Sequence, residues 1–332
     1  MAESNKTGVG QSILTKLKSD DTSSFVTVTG ALAALVVFFA LTSEHFFSIG
    51  NFLNIGLYAA IMGIIACGMT FINVSGQIDI SVGSQVALIS MVVGTVAQKG
   101  GSIPVMIIAG LLTGIVCGAI NGFFVTVFKL NAFITTIASM QIFRGIAYLV
   151  SDGNAVVITS KAFRFFGRGF MFGNTIPFPL IFMICCFIVF HLISKYTIFG
   201  RTIYMIGGNL QSSFLSGIKV NRVKFILYVI VGFTCGLAGV MTASQTGAGL
   251  PMAAATINMQ ILSAVILGGA GLMGGRGTIL GTFIGVLVLC TLNNGMTMLN
   301  VQTFWQDVTI GTVLLLSVSV DAVKGGAFKR KI

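Results

Sequence analysis

The sequence predicts an all-α membrane protein, a polytopic bundle of about ten transmembrane helices with both termini in the cytoplasm. Hydrophobic residues occupy 55% of the 332 positions and charged residues only 8%, with a mean hydropathy of +0.99. A soluble domain carries roughly 25% charged residues. The apolar residues also fall into repeated runs of about 20 residues, the length that crosses a bilayer. These observations exclude an ordinary soluble protein.

The chain opens with a polar segment, residues 1–23, which we interpret as a cytoplasmic tail because it is too long and too acidic for the head of a signal peptide. The transmembrane domain, residues 24–323, follows, and residues 324–332 form a basic cytoplasmic tail. The predicted spans are Phe25–Thr42, Ile55–Val74, Ser81–Ala97, Ile103–Phe128, Asn131–Val150, Ile176–Ser194, Phe225–Ala243, Met259–Leu272, Gly277–Met296 and Trp305–Val323. The eighth is short, and we interpret it as a half-span or as a helix buried among others.

The distribution of Lys and Arg predicts the orientation. With the N-terminus inside, the external segments hold only four of the 19 basic residues, namely Lys99, Lys161, Arg164 and Arg168. Cytoplasmic connections are enriched in Lys and Arg, so this bias supports two cytoplasmic termini. Residues 152–175 hold three of the four exceptions, and their length indicates a folded external loop. The net charge of +11 is scattered over loops and tails, which indicates a membrane protein and not a nucleic-acid-binding one.

One cytoplasmic connection, residues 196–224, is patterned as a folded unit. Gly207-Gly208 interrupts the chain, Asn209 is a good helix N-cap, and Gly217 suits a left-handed stop. The sequence therefore predicts a short helix from Asn209 to about Ser216.

This short helix would carry apolar surface at the membrane face. Its apolar side chains are Phe214, Leu215 and Ile218, and the basic residues around it are Arg201, Lys219, Arg222 and Lys224, with no acid in the segment. A solvated loop has no need of such a helix, so we interpret it as a docking element for a soluble partner. The alternative is an ordinary amphipathic turn at the membrane interface.

Polar residues within the apolar body indicate a transport path, because a central charge in a membrane costs around 2.5 to 3.5 kcal/mol. The densest strip lies between the second and third spans and contains Asn73, Ser75, Gln77, Asp79, Ser81 and Ser84. We expect this strip to line a cavity, as broken helices at membrane depth do. The alternative is that Asp79 or Ser81 only caps the next helix.

Two further groups are candidates for the path. The fifth span carries Asn131, Thr135, Gln141 and Arg144, and the ninth ends with Asn293 and Asn294. Arg144 lies about two turns from the external end, so we expect it to stabilise packing by snorkelling and not to contact the substrate.

Other patterns do not support catalysis. The run Gly269–Gly274 matches a glycine-rich dinucleotide motif but lacks the strand–turn–helix context and the downstream acid. His45 and His191 are isolated at span ends. The six cysteines all lie in apolar runs and are interpreted as small buried residues, without metal-ligand spacing or disulfides.

Several stretches together resemble the permease subunits of ribose-type sugar importers of the ATP-binding-cassette class. In family order they are Thr70–Ser84, Phe133–Tyr148, Phe199–Arg201 with Gly207–Asn209 and Ser216–Ile218, Gly247–Met252, Val265–Gly269 with Gly274–Thr278, and Leu292–Gly295. They cover most of residues 48–320.

The resemblance implies a complex in the bacterial inner membrane. It implies two permease subunits, identical or different, two cytoplasmic ATPase subunits that hold ATP and Mg²⁺, and an extracytoplasmic binding protein that delivers the sugar. It implies no cofactor and no enzymatic activity on this chain, and it makes residues 196–224 the coupling loop.

The sequence departs from the family pattern in three places, which concern the substrate and the ATPase partner. Gln77 replaces a common glycine, Gln211–Phe214 replaces an acidic and alanine-rich run, and Met259-Gln260 occupies a region where an acid is common. An autoinducer-like or nucleoside ligand is therefore an alternative to a sugar. A stand-alone channel or proton-coupled carrier is a second alternative, although only Asp79 and Asp307 are carboxylate candidates for it. A lipid-modifying enzyme would need an acid–base or metal set, and the sequence lacks one.

Overall fold

A computed structural model of the chain describes residues 20–173 and 175–324. In chain order its helices are α1 Asp20–Thr42, α2 Ile49–Val74, α3 Val82–Gln98, α4 Ile103–Thr126, α5 Ala132–Leu149, α6 Phe165–Arg168, α7 Phe178–Tyr196, α8 Ile198–Gly208, α9 Leu210–Leu215, α10 Val220–Thr246, α11 Ile257–Leu267, α12 Ile279–Met298 and α13 Thr303–Lys324. The strands are β1 Val156–Val157, β2 Phe170–Met171, β3 Ile176–Pro177 and β4 Ala248–Gly249. They form two antiparallel pairs, β1 with β4 and β2 with β3.

The prediction of a helical membrane bundle is confirmed. Within the described ranges, seven helices are long and apolar enough to cross a membrane, namely α1 from Phe25 onward, α2, α4, α5, α7, α10 and α12. Helices α3 and α11 are apolar but shorter. The predicted short run Met259–Leu272 becomes α11, whose 11 residues are half the length of a span. Residues 1–19 and 325–332, which belong to the two predicted tails, lie outside the described part of the chain.

The centre of the bundle consists of α2, α3 and α10, and α4 packs against it with one face. Helix α2 is enclosed on nearly all sides, and its second half is buried throughout. Helix α10 packs most extensively on α4. At their crossing a Cβ atom on Gly232 would lie 2.1 Å from the carbonyl oxygen of Gly114, so only glycine permits this approach. Small residues allow membrane helices to pack in this way without a hydrophobic driving force.

The two ends of the bundle carry different structures. At one end, here called the β end, residues 150–177 and 247–256 pair through β1 and β4, and the Ser244 hydroxyl donates a hydrogen bond to the Phe163 carbonyl at 2.6 Å. The predicted loop 152–175 is therefore a folded structure. At the other end, here called the α9 end, α8 lies beside the turn of residues 268–278, and α9 follows α8 in the chain. There the Gly275 amide donates to the Val74 carbonyl at 2.8 Å, and the Tyr204 hydroxyl donates to Gly277 at 2.8 Å.

Candidate functional site

The predicted path residues do not form one site. They divide among a buried cluster at the start of α3, a cavity at the α9 end and a larger cavity toward the β end. Three remaining candidates line neither cavity: Asn73, Thr135 and Gln141.

The buried cluster is centred on Asp79, in the connection between α2 and α3. Its Oδ1 accepts hydrogen bonds from the Ser81 amide at 2.8 Å and from the Ser81 hydroxyl at 2.6 Å. Its Oδ2 faces the side-chain amides of Asn121 at 3.2 Å and Gln85 at 3.4 Å. All four residues are fully enclosed, with Asp79 only 1% exposed. The carboxylate therefore fixes the start of α3 and joins it to α4.

The charge of this carboxyl group is expensive to bury. Hydrogen bonds from Ser81, Asn121 and Gln85 to its two oxygens offset part of this cost. Ser81 is the N-cap residue of α3, and its side chain makes no capping bond itself. The bond from the Ser81 amide to Asp79 Oδ1 is the contact that the capping interpretation requires, and the path role of Asp79 and Ser81 stays a prediction.

The larger cavity, of about 540 Å³, lies between α2, α11, α12 and the start of α13. Its polar lining comprises Tyr58, Thr242, Thr256, Gln260, Asn293, Asn294, Thr297 and Gln306, and none of the described residues that line it is charged. The side-chain oxygens of Asn293 and Asn294 are buried and have no hydrogen-bond partner within the described residues. These two oxygens are closed off from solvent, so the open space of the cavity is bounded by the other polar side chains of its lining, among them Gln260 and Gln306.

The second cavity, of about 380 Å³, lies at the α9 end between the α2–α3 connection, the α4–α5 connection and the start of α10. Gln77 and Asn131 both line it. Asn131 is also the N-cap of α5, because its Oδ1 accepts from the amides of Phe133 at 3.0 Å and Ile134 at 3.3 Å. Asn131 therefore has a structural role as a helix cap in addition to its position in the cavity wall.

The three path candidates that line neither cavity, on α5 and α2, differ in burial and hydrogen bonding. The Thr135 hydroxyl donates to the Asn131 carbonyl at 2.9 Å, which satisfies it inside its own helix. Gln141 is exposed on α5. Both polar atoms of the Asn73 side chain are buried without a partner among the described residues.

Arg144 holds the segment after β4. One guanidinium nitrogen donates to the carbonyls of Pro251 at 2.6 Å and Ala253 at 2.9 Å. These contacts link α5 to the segment that leads into α11. They agree with the expected packing role, although the interaction is a specific bond to the backbone and not simple snorkelling.

Helix α9 has the predicted start and stop. The Oδ1 atom of Asn209 accepts from the Ser212 amide at 2.9 Å, and Gly217 has a φ of +79° at the C-terminal end. Phe214 and Leu215 are 72% and 78% exposed, whereas Ile218 is half-buried. Two large apolar side chains therefore project from this end of the bundle without a partner among the described residues.

The residues that hold α9 in place are on α8, which the sequence reading treated as part of the loop. A Cβ atom on Gly207 would lie 1.8 Å from the Val74 carbonyl oxygen, so α8 packs directly on the end of α2. Gly208 is exposed and ends α8, and Arg201 is exposed on the same helix. Helix α9 is thereby joined through α8 to the second span.

Several residues of the cavities and the cluster were not named as path candidates from the sequence. Asn121 and Gln85 complete the Asp79 cluster, and Tyr58, Gln260 and Gln306 line the larger cavity. In the sequence, Asn121 is an isolated side-chain amide within an apolar span, and this pattern does not indicate that it bonds to Asp79. Among the described residues no group of three or more His, Cys, Asp or Glu side chains is placed to hold a metal ion, and all six cysteines are free thiols.

Comparison with known proteins identifies relatives along most of the chain. The family model described as "Branched-chain amino acid transport system / permease component" matches residues 51–318. The ribose import permease of Bacillus subtilis (strain 168) is 41% identical over 295 residues, which are 88% of this chain and 91% of that protein. The L-arabinose transport system permease of Escherichia coli (strain K12) is 38% identical over 88% of each chain. The ribose import permease of the same strain is 35% identical over 89% of this chain and 92% of its own. No solved structure matches this chain significantly.

Proposed function

The chain belongs to the family of branched-chain amino acid transport system permease components, and we propose that it imports a monosaccharide related to ribose or arabinose. It is a permease subunit and not an enzyme, and it is a multi-pass protein of the inner membrane. The observation that carries the sugar assignment is the 35–41% identity to ribose and arabinose permeases over nearly nine tenths of the chain.

The larger cavity supports a neutral, hydroxyl-rich substrate. Its lining offers amide and hydroxyl groups together with the Tyr58 ring and no charge. A sugar hydroxyl can both donate to and accept from the side-chain amides of Gln260 and Gln306, which line the cavity. An amino acid substrate would bring two charges that this lining does not neutralise, so the cavity favours a sugar over the ligand in the family's description.

The energy source in this proposal is ATP hydrolysis on two cytoplasmic partner chains. Helix α9 docks in a groove on the ATPase through Phe214 and Leu215, with Ile218 and the basic residue Arg201 beside it. The packing of Gly207 on α2 then transmits ATPase movement into the span next to the larger cavity. Docking of a small helix through exposed apolar anchors is a recurrent mode of recognition.

The remaining parts of the complex follow from the same proposal. A second permease subunit completes the path, and an extracytoplasmic binding protein delivers the sugar at the β end. The membrane domain then has about ten spans, with α3, α11 and α13 added to the seven long ones, and both termini lie with α9 on the cytoplasmic side, as the Lys and Arg distribution indicates.

The test is uptake by the reconstituted complex. Proteoliposomes containing the permease, its ATPase and its binding protein would receive radiolabelled ribose or arabinose, with and without ATP inside. We expect ATP-dependent uptake of one of these sugars, and competition by the other pentose but not by leucine. Uptake that is independent of ATP would indicate a channel or a secondary carrier. Uptake of a nucleoside or an autoinducer-like ligand, with no pentose uptake, would overturn the sugar assignment.

A further inference from the structure

We propose that the cavity at the α9 end binds the headgroup of an anionic phospholipid. Three elements form it: the α2–α3 connection, the α4–α5 connection and the first turns of α10. Its volume of about 380 Å³ lies within the roughly 300–1,000 Å³ that is usual for small-molecule sites. It is separate from the larger cavity toward the β end, and the two share no lining residue.

The charge of this cavity is positive. Lys129 and Lys224 line it from opposite elements, and no acidic residue is part of the lining. The acid closest in sequence is Asp79, which is buried and already bonded to Ser81, Asn121 and Gln85. Two lysine side chains thus line one space, and no described carboxylate lines it with them, which favours an anionic ligand.

The neutral polar groups of the cavity add hydrogen-bond donors. The Oδ1 atom of Asn131 is occupied by two backbone amides of α5, so its amino group is the part that remains to bind a ligand. Asn221 and Gln77 add two more side-chain amides to the lining. Phosphate oxygens accept hydrogen bonds and carry negative charge, and they match both features of this lining.

The surface beside the cavity is apolar and faces outward. The exposed side chains on α4, the α4–α5 connection and the start of α5 are Phe123, Phe124, Val127, Phe128, Leu130, Phe133 and Ile134. The rings of Phe123, Phe124 and Phe128 pack on one another, with centroids 5.5–5.8 Å apart. Leu130 and Phe133 belong both to this apolar surface and to the cavity lining.

The combination of a basic cavity and a continuous apolar surface distinguishes a phospholipid from a soluble anion. The headgroup phosphate would lie between Lys129 and Lys224, and the acyl chains would lie along the exposed phenylalanine rings. Basic pockets between membrane helices on the cytoplasmic side are suited to such headgroups, and each nearby Lys or Arg strengthens binding about fivefold. The site would anchor the α4–α5 connection and the start of α10 next to α9.

The experiment measures lipid binding to the full-length chain by native mass spectrometry in a neutral detergent. Phosphatidylglycerol and phosphatidylcholine with the same acyl chains would be titrated separately. We expect the wild-type chain to prefer phosphatidylglycerol. The double variant K129Q/K224Q should weaken phosphatidylglycerol binding on the order of 25-fold and leave phosphatidylcholine binding unchanged.

Two control variants separate this site from general electrostatics and from misfolding. K99Q/K161Q removes the same charge from exposed lysines toward the β end, and its lipid preference should equal that of the wild type. K129R/K224R keeps the charge and should keep the preference. Size-exclusion chromatography would check that each variant remains monodisperse.

Three results would overturn the proposal. The first is an unchanged phosphatidylglycerol preference in K129Q/K224Q. The second is an equal loss in K99Q/K161Q. The third is displacement of the lipid by a large excess of inorganic phosphate alone, which would indicate a site for a free anion instead of a lipid headgroup.

Discussion

Replacing Asp79 by alanine tests whether this residue holds the bundle together or forms the transport path. In the wild-type chain its carboxylate accepts from the Ser81 amide, the Ser81 hydroxyl, Asn121 and Gln85, all in a fully buried setting. Asp79→Ala removes the acceptor for all four donors. The Asn121 and Gln85 amides nevertheless keep the Ser81 hydroxyl oxygen as a partner, each at 2.8 Å.

The expected loss of stability follows from the donors that remain unpartnered. The Ser81 amide and the Ser81 hydroxyl lose their acceptor, and a buried group left without a partner costs about 1–3 kcal/mol. We therefore expect a free-energy loss of about 2–5 kcal/mol, since removal of a desolvated carboxyl group offsets part of the cost. Asp79→Asn keeps Oδ1 for Ser81 but turns an amino group toward the Asn121 and Gln85 amides, so its effect should be smaller.

The assay combines thermal stability in detergent with uptake per folded complex. Asp79→Ala should lower the melting temperature by several degrees, Asp79→Asn by less, and Asp307→Ala, which changes an exposed acid on α13, should have no effect. Uptake should fall only in proportion to the folded complex. A variant with the wild-type melting temperature and no uptake would refute this reasoning and place Asp79 in the path.

Two other variants probe the larger cavity and the Arg144 contact. Asn294→Ala should leave the melting temperature unchanged, because the buried side-chain oxygen has no partner among the described residues. It should raise the KM for sugar uptake about tenfold, because Asn294 lines the larger cavity and one hydrogen bond to the sugar would be lost. Gln302→Ala, exposed at the same end, is its control, and an unchanged KM would remove Asn294 from the path. Arg144→Lys should lower the melting temperature with little change in KM, because a single ammonium group replaces the guanidinium that holds the Pro251 and Ala253 carbonyls. Normal stability with strongly reduced uptake would show that Arg144 contacts the substrate.

Local signals in the sequence predicted local structure well. Asn209 and Gly217 act through hydrogen bonds and backbone angles within a few residues, and the structure contains the helix that they predict. The helix α8 before it was missed, because Gly207 and Gly208 were taken as a break and not as the last residues of a helix. Helix α10 begins at Val220, five residues before the predicted Phe225, since basic residues can occupy the first turns of a membrane helix at the interface.

Long-range contacts could not be predicted from the sequence. Asn121 lies 42 positions after Asp79, and no periodic pattern indicates that their side chains meet. Polarity alone does not distinguish a cavity wall from a closed hydrogen-bond cluster, so the sequence could not separate Gln77, which lines a cavity, from Asp79 and Ser81, which bond to each other. Asn293 and Asn294 were named as candidates from the sequence. The residues that complete their cavity come from α2, α10, α11 and α13. Only the packing of the bundle brings these four helices together, so the sequence did not indicate them.

The measurement that tests the account most directly is ATPase retention by the Leu215→Asp variant. Leu215 is 78% exposed, so the change should not disturb folding of the permease. Burying a leucine stabilises an interface by about 1.5–3 kcal/mol, and its loss should weaken ATPase binding by roughly 10- to 100-fold. Phe172→Asp, in the folded loop of the β end, changes a similarly exposed apolar residue and serves as the control for co-purification.

The full-length permease with Leu215→Asp should insert at the wild-type level, lose its ATPase during detergent purification and show no sugar-stimulated ATP hydrolysis, whereas Phe172→Asp should retain the ATPase. Co-purification of the ATPase with Leu215→Asp at the wild-type yield, with normal stimulation of ATP hydrolysis by sugar, would contradict the docking role of α9.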